Sequence, residues 1–178
     1  MVTTTPDADE RALRRAKRPR SLLAGPYGHP FHSLLITIPI GAWTASIVFD
    51  ILAATTDQPQ TFAVGAAWLI LIGLVGAAFA IVTGLLDYSV LTPGTKARAT
   101  ATAHMVLNGL VSVLFIASAV VRFNDLEPGG GFNPGLLLSI VALALLAVSG
   151  FLGGELAYRF GVRVADETTQ DEGHAVTP

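Results

Sequence analysis

From Thr61 to Leu86 the chain reads TFAVGAAWLILIGLVGAAFAIVTGLL, 26 residues without one charged side chain. At a rise of ~1.5 Å per residue such a helix is ~39 Å long, more than a hydrocarbon core of ~30 Å requires. A surface helix of a soluble domain needs a polar face, and this stretch has none. A strand of a membrane barrel would alternate in polarity over ~10 residues, and it does not. Gly73 and Gly76 leave the assignment intact, because glycine is commoner in membrane helices than in soluble ones. The stretch is a membrane span.

Working outward, residues 31–54, 99–121 and 135–158 have the same character. Together the four windows cover 97 residues and contain only Asp50 and Glu155, whereas the other 22 of the 24 charged residues fall in the remaining 81. The chain is 52% apolar, with a mean hydropathy of +0.59. A small soluble enzyme and a disordered chain are both excluded. With no cysteine, disulfides, cysteine-held iron–sulfur clusters, thiolate chemistry and covalently attached haem are excluded as well. No nucleophile elbow, Walker loop, dinucleotide fingerprint or H-E-x-x-H motif occurs. The net charge of −2 says little about partners, because the charges are so unevenly placed.

Placement of the basic residues orients the spans. Arg11, Arg14, Arg15, Lys17, Arg18 and Arg20 precede the first span, Lys96 and Arg98 lie between the second and third, and Arg159 and Arg163 end the fourth. The other two connections hold only Arg122. By the positive-inside rule this ten-to-one split puts both termini in the cytoplasm. The expected architecture is all-α: an integral membrane four-helix up-down bundle, N-in and C-in, in a bacterial plasma membrane. Three segments are expected. Residues 1–26 form a basic, disordered tail without the apolar core of a signal peptide, 27–163 the four-span domain, and 164–178 a polar C-terminal tail. The lipid bilayer is the first partner. The basic tail suits anionic lipid better than nucleic acid. Asp57-Gln58-Pro59, Thr92-Pro93-Gly94 and Pro128-Gly129-Gly130-Gly131 break the chain between spans. Pro39 removes a backbone hydrogen bond inside the first span and is expected to kink it.

With this topology each span brings an ionisable residue to the cytoplasmic end: His32, Asp87, His104 and Glu155, with His29 and Asn108 near them. Ionisable groups within spans are costly and face the bundle interior or a partner. Each also has a structural reading. His29 and Asp87 can sit at the headgroup level, Glu155 can pair with Arg159 at i+4, and His32 can bond backbone. His104 with Asn108, four residues on, makes a polar stripe running into the membrane. At the other end, Asp50, Arg122, Asn124 and Asp125 read as an outer ion pair or solvated rim. Three chemistries suit the cytoplasmic cluster. His32 and His104 could ligate a b-type haem, with Gly84, Gly150, Gly153 and Gly154 giving the porphyrin room. His29, His32, Asp87, His104 and Glu155 could hold a divalent metal. Intramembrane acids and histidines could also relay protons. A loose repeat runs through the two hairpins: His, span, turn, span, then Gly84 and Asp87-Tyr88 in one, Gly153-Gly154-Glu155 and Tyr158 in the other.

The sequence His29-Pro30-Phe31-His32, followed by Ile38-Pro39-Ile40-Gly41 and Val48-Phe49-Asp50, resembles the opening of a bacterial membrane family, domain-of-unknown-function family 2231. Gly84-Leu85-Leu86-Asp87, His104 with Asn108, and Gly153 through Gly161 fit its later pattern, so the resemblance covers roughly residues 27–163. It implies no defined activity. Relatives joined to a Rieske-type domain imply electron transfer, which in this cysteine-free chain would need a bound haem or a membrane redox partner. The leading expectation is therefore a membrane redox or cofactor-binding module, with enzymatic activity not expected. The alternatives are a non-enzymatic accessory or assembly subunit, and a small-solute or proton permease, which four spans could form only as a homo-oligomer.

Overall fold

The structure, a computed structural model, describes residues 7–124 and 134–175. All regular structure among the described residues is helical: α1 (Ala8–Lys17), a 3₁₀ turn (Leu22–Ala24), α2 (Phe31–Leu35), α3 (Thr37–Thr55), α4 (Pro59–Tyr88), α5 (Lys96–Asn124), α6 (Pro134–Gly154), a π-helical turn (Glu155–Arg159) and α7 (Glu167–His174). Four helical segments are long and apolar enough to cross a membrane: Phe31–Thr55, Pro59–Tyr88, Lys96–Asn124 and Pro134–Arg159. They extend the expected windows by one to three residues at most ends. The second connection keeps its turn chemistry, with Gly94 at a φ of 81°. The Pro128–Gly131 turn and Asp125 lie outside the described residues.

The first span is broken where Pro39 requires it. A proline ring collides with the carbonyl four residues back and has no N–H to offer it. Here that residue is Leu35, the last of α2, and the helix resumes at Thr37.

Consecutive spans pack side by side as hairpins, α3 on α4 and α5 on α6, and the ring closes through α4 against α5 and α3 against α6. Spans 1 and 3 are therefore diagonal, and only their side chains meet on the bundle axis. Trp43 stacks on Phe115 with centroids 4.1 Å apart and planes 12° from parallel. With Ile70, Val111 and Ala142 they form the buried core. The Trp43 indole lies over Gly73, where a Cβ would overlap the ring, and donates to the Ile70 carbonyl at 3.2 Å.

The cross-axis pairs share one register. Trp43 with Phe115, His32 with His104, and Asp50 with Arg122 are each 72 residues apart, as are the fully buried Ser46 and Ser118. A pseudo-two-fold axis along the bundle thus relates the hairpins, and one pair of equivalent positions has become oppositely charged. Arg122 belongs to the last turn of α5, not to a solvated rim. Its Nη2 donates to Asp50 Oδ2 at 2.7 Å and its Nε to Ser118 Oγ at 3.1 Å, both side chains being almost wholly buried.

Within the stretch expected as a basic tail, Ala8–Lys17 forms α1 and Leu22–Ala24 the 3₁₀ turn. Asp7 caps α1 by accepting from the Glu10 amide at 2.7 Å. Ala16 packs with Leu91, Ala101 and Leu156, so α1 is fastened to the end of the bundle that carries both termini. Arg163 completes the clasp with a left-handed φ of 61°. Its amide donates to the Ala16 carbonyl, its Nη2 donates to the carbonyls of Ala24 and Gly25, and its Nε lies 2.9 Å from Asp87 Oδ1. Lys17, also buried, reaches the Ala165 carbonyl and Glu167 on the C-terminal segment.

Candidate functional site: a paired imidazole

His32 stands in the short helix before the Pro39 break, and His104 stands two turns into α5. Each reaches across to the other helix of its own hairpin. His32 Nδ1 lies 2.8 Å from the Ala80 carbonyl, and His104 Nδ1 lies 2.8 Å from the Ser149 carbonyl. A carbonyl can only accept, so both Nδ1 atoms carry a proton, and Nε2 is the lone-pair nitrogen of either ring when it is neutral. The carbonyls are repeat equivalents, 69 residues apart, and so are the glycines under the rings. A Cβ on Gly84 would lie 2.9 Å from His32 Cε1, and one on Gly153 would lie 3.2 Å from His104 Cε1. These glycines seat the imidazoles; they do not hold space open for a porphyrin. Nothing lies within 4 Å of a Cβ built on Gly150 or Gly154.

The two rings approach each other across the axis, centroids 6.3 Å apart and nearly perpendicular at 83°. Their surroundings differ. Asn108 Nδ2 donates to His104 Nε2 at 3.1 Å and lies 2.7 Å from Ser149 Oγ. The equivalent positions in the first hairpin are Ile36 and Ala80, which offer no side-chain hydrogen bond. The polar stripe therefore exists on one side of the axis only.

Of the other expected ligands, none joins this pair. Asp87 faces Arg163, and Glu155 is bound to Arg159 at 2.7 Å, as the i+4 alternative anticipated. His29 is exposed, with its ring directed at the Tyr27 carbonyl. Among the described residues no three His, Cys, Asp or Glu side chains come together. Of the expected divalent-metal set of His29, His32, Asp87, His104 and Glu155, the fold brings His32 and His104 together. The acids are not repeat equivalents either, because the register that superposes Gly84 on Gly153 sets Asp87 against Leu156. Sequence reasoning passed over Ser149 and the carbonyls of Ala80 and Ser149. The 69-residue spacing of Gly84 and Gly153, set beside the 72-residue spacing of His32 and His104, was the signal that could have aligned them.

A family described as a predicted membrane protein family, DUF2231, matches residues 28–166 through its model. No curated protein and no solved structure matches the chain.

Proposed function

We propose, for a chain that belongs to the DUF2231 family of predicted membrane proteins, a membrane cofactor-binding module in which His32 and His104 are the ligand pair for one metal centre. The supporting observation is their shared geometry. Each imidazole is oriented by an Nδ1–H bond to a backbone carbonyl, the contact that metal-ligating histidines generally make with their other ring nitrogen. A metal held at ~2.0–2.1 Å from two opposed imidazole nitrogens sets the ring centroids about 6 Å apart, close to the 6.3 Å found here. Of the cofactors, b-type haem iron supplies redox chemistry to such a pair. Because the imidazoles fill the seats at Gly84 and Gly153, a macrocycle would require the hairpins to part. A bare first-row ion requires only that Asn108 release His104 Nε2. In this reading both termini face the cytoplasm of a bacterium, by the ten-to-one basic split.

Purified protein expressed with iron and haem in excess is expected to carry about one metal per chain, lost in His32→Ala and in His104→Ala. A wild-type protein without metal, and without Soret and α bands in a reduced-minus-oxidised spectrum, would overturn the proposal.

A second reading, an accessory or assembly subunit, is favoured by the internal bonding of the site: both Nδ1 atoms and His104 Nε2 already have partners. It expects His104→Gln to keep the wild-type phenotype in cells. A permease path through a single chain finds less support, since the stacked Trp43 and Phe115 separate the imidazole layer from the Asp50–Arg122 layer.

A further inference from the structure

Leu22 and Leu23 are 81% and 74% exposed, more than any lipid-facing leucine of the four spans. They belong to no span; they sit on the 3₁₀ turn between α1 and the first membrane helix. Two adjacent leucines standing in water would be an unusual surface for a segment held so firmly. Arg163 Nη2 grips the carbonyls of Ala24 and Gly25, Ala24 is fully buried, and the turn packs against α4 and α2. The leucines therefore cannot fold inward, and what they meet is decided by the level at which the turn is fixed.

That level is the start of the apolar belt. The turn lies against the first helix of span 1, where Phe31 and Leu34 are exposed, and against the helix whose last turns expose Leu85. Leu22 and Leu23 continue that belt beyond the spans. Just before them come Arg15, Arg18 and Arg20, all exposed. Arg18 stacks over Tyr27 at 4.2 Å and lies 3.6 Å from Asp166. An apolar edge with guanidinium groups beside it matches a leaflet whose acyl chains lie under phosphate headgroups.

We infer that the Leu22–Ala24 turn is an interfacial wedge: Leu22 and Leu23 enter the acyl region of the leaflet on the side of the termini, and the neighbouring arginines bind its anionic headgroups. The wedge needs no ligand on the imidazole pair. It makes the tail–lipid contact a fixed insertion, and the turn precedes the family-matched residues 28–166.

The absence of native cysteine makes the test direct. Leu22→Cys, Leu23→Cys and, as a water-facing reference, Gln170→Cys are made in the full chain, spin-labelled and reconstituted in vesicles. The vesicles are phosphatidylcholine, with or without phosphatidylglycerol. Power saturation is expected to show oxygen reaching labels 22 and 23 more readily than a water-soluble nickel chelate, with the opposite order at 170. The labels are expected to sit deeper when phosphatidylglycerol is present. Nickel access at 22 and 23 equal to that at 170 would overturn the wedge. So would low access to both relaxants with spin–spin broadening, which would place a second copy of the chain there. Depth unchanged by phosphatidylglycerol would overturn the headgroup half. Far-ultraviolet dichroism of each variant confirms that the helices are retained.

Discussion

At the scale of single residues, the strongest energetic statement concerns Asp50 and Arg122. Two charges buried on the bundle axis are tolerable only because the carboxylate meets the guanidinium with both oxygens while Ser118 takes its Nε. Removing one partner leaves the other charged and dry, at a cost of about 3–5 kcal/mol. Arg122→Met should therefore lower stability by about that amount in a detergent unfolding titration. Asp50→Leu with Arg122→Met should lose much less than the two single changes summed. The sequence offered an outer ion pair or a solvated rim for these residues; the ion pair forms, and its burial was hidden because depth depends on where α5 stops. The imidazoles give a second prediction. A methyl on Gly84 would fall 2.9 Å from His32 Cε1, so Gly84→Ala should push the ring from its seat. Bound metal, measured by elemental analysis, should fall in Gly84→Ala while the helix content by circular dichroism stays unchanged. Gly153→Ala, with 3.2 Å to His104, should show the weaker effect.

At the scale of elements, approach distance and end chemistry decide what each helix does. Gly73 lets α4 come close enough for Trp43 to lie over its backbone. Gly73→Ala should therefore cost about 1–3 kcal/mol through overpacking, read as a lower melting temperature, whereas Gly41→Ala, with no atom near the added methyl, should not. The sequence marked Gly73 as a packing residue; that an indole fills the space follows from the register of two helices 27 residues apart in the Trp43–Ile70 bond. The short α7 depends on its cap. Asp166 accepts from the Thr169 amide at 3.1 Å, and that bond, followed by the Thr169 hydroxyl, holds its carboxyl below the ordinary value of 3.8. A lowered folded-state value means that the cap's contribution is fully present above 3.8 and is lost as pH falls through the depressed value. Protection of the Thr169 amide relative to a free amide should therefore fall only in acid, and in Asp166→Ala it should be low at every pH.

For the whole molecule, the governing feature is the pseudo-two-fold axis with its imidazole layer, aromatic stack and ion-pair layer. Topology is testable in the same cysteine-free background. A cysteine at Gln170 and one at Gly94 should react with an impermeant maleimide from one face of intact membranes, and one at Gln58 from the other. Four spans, their order and the end at which the histidines gather were legible, because uncharged length and basic bias are properties of composition along the chain. Which of the gathered residues touch was not. His32 finds a carbonyl 48 residues away and His104 one 45 residues away, while Asp87 and Glu155 turn to arginines on the clasp and the π-helical turn. The terminal clasp was equally hidden: a lysine in a polar stretch signals solvent until Ala16, Lys17 and Arg163 are seen locked against the bundle. Sequence alone determined that this chain crosses a membrane four times, since no water-soluble packing can hide 97 residues that carry two charges. Tertiary structure alone decided that, of the five candidate ligands, His32 and His104 come together across the axis. Contact across an axis depends on helix rotation and register, which hydropathy does not encode.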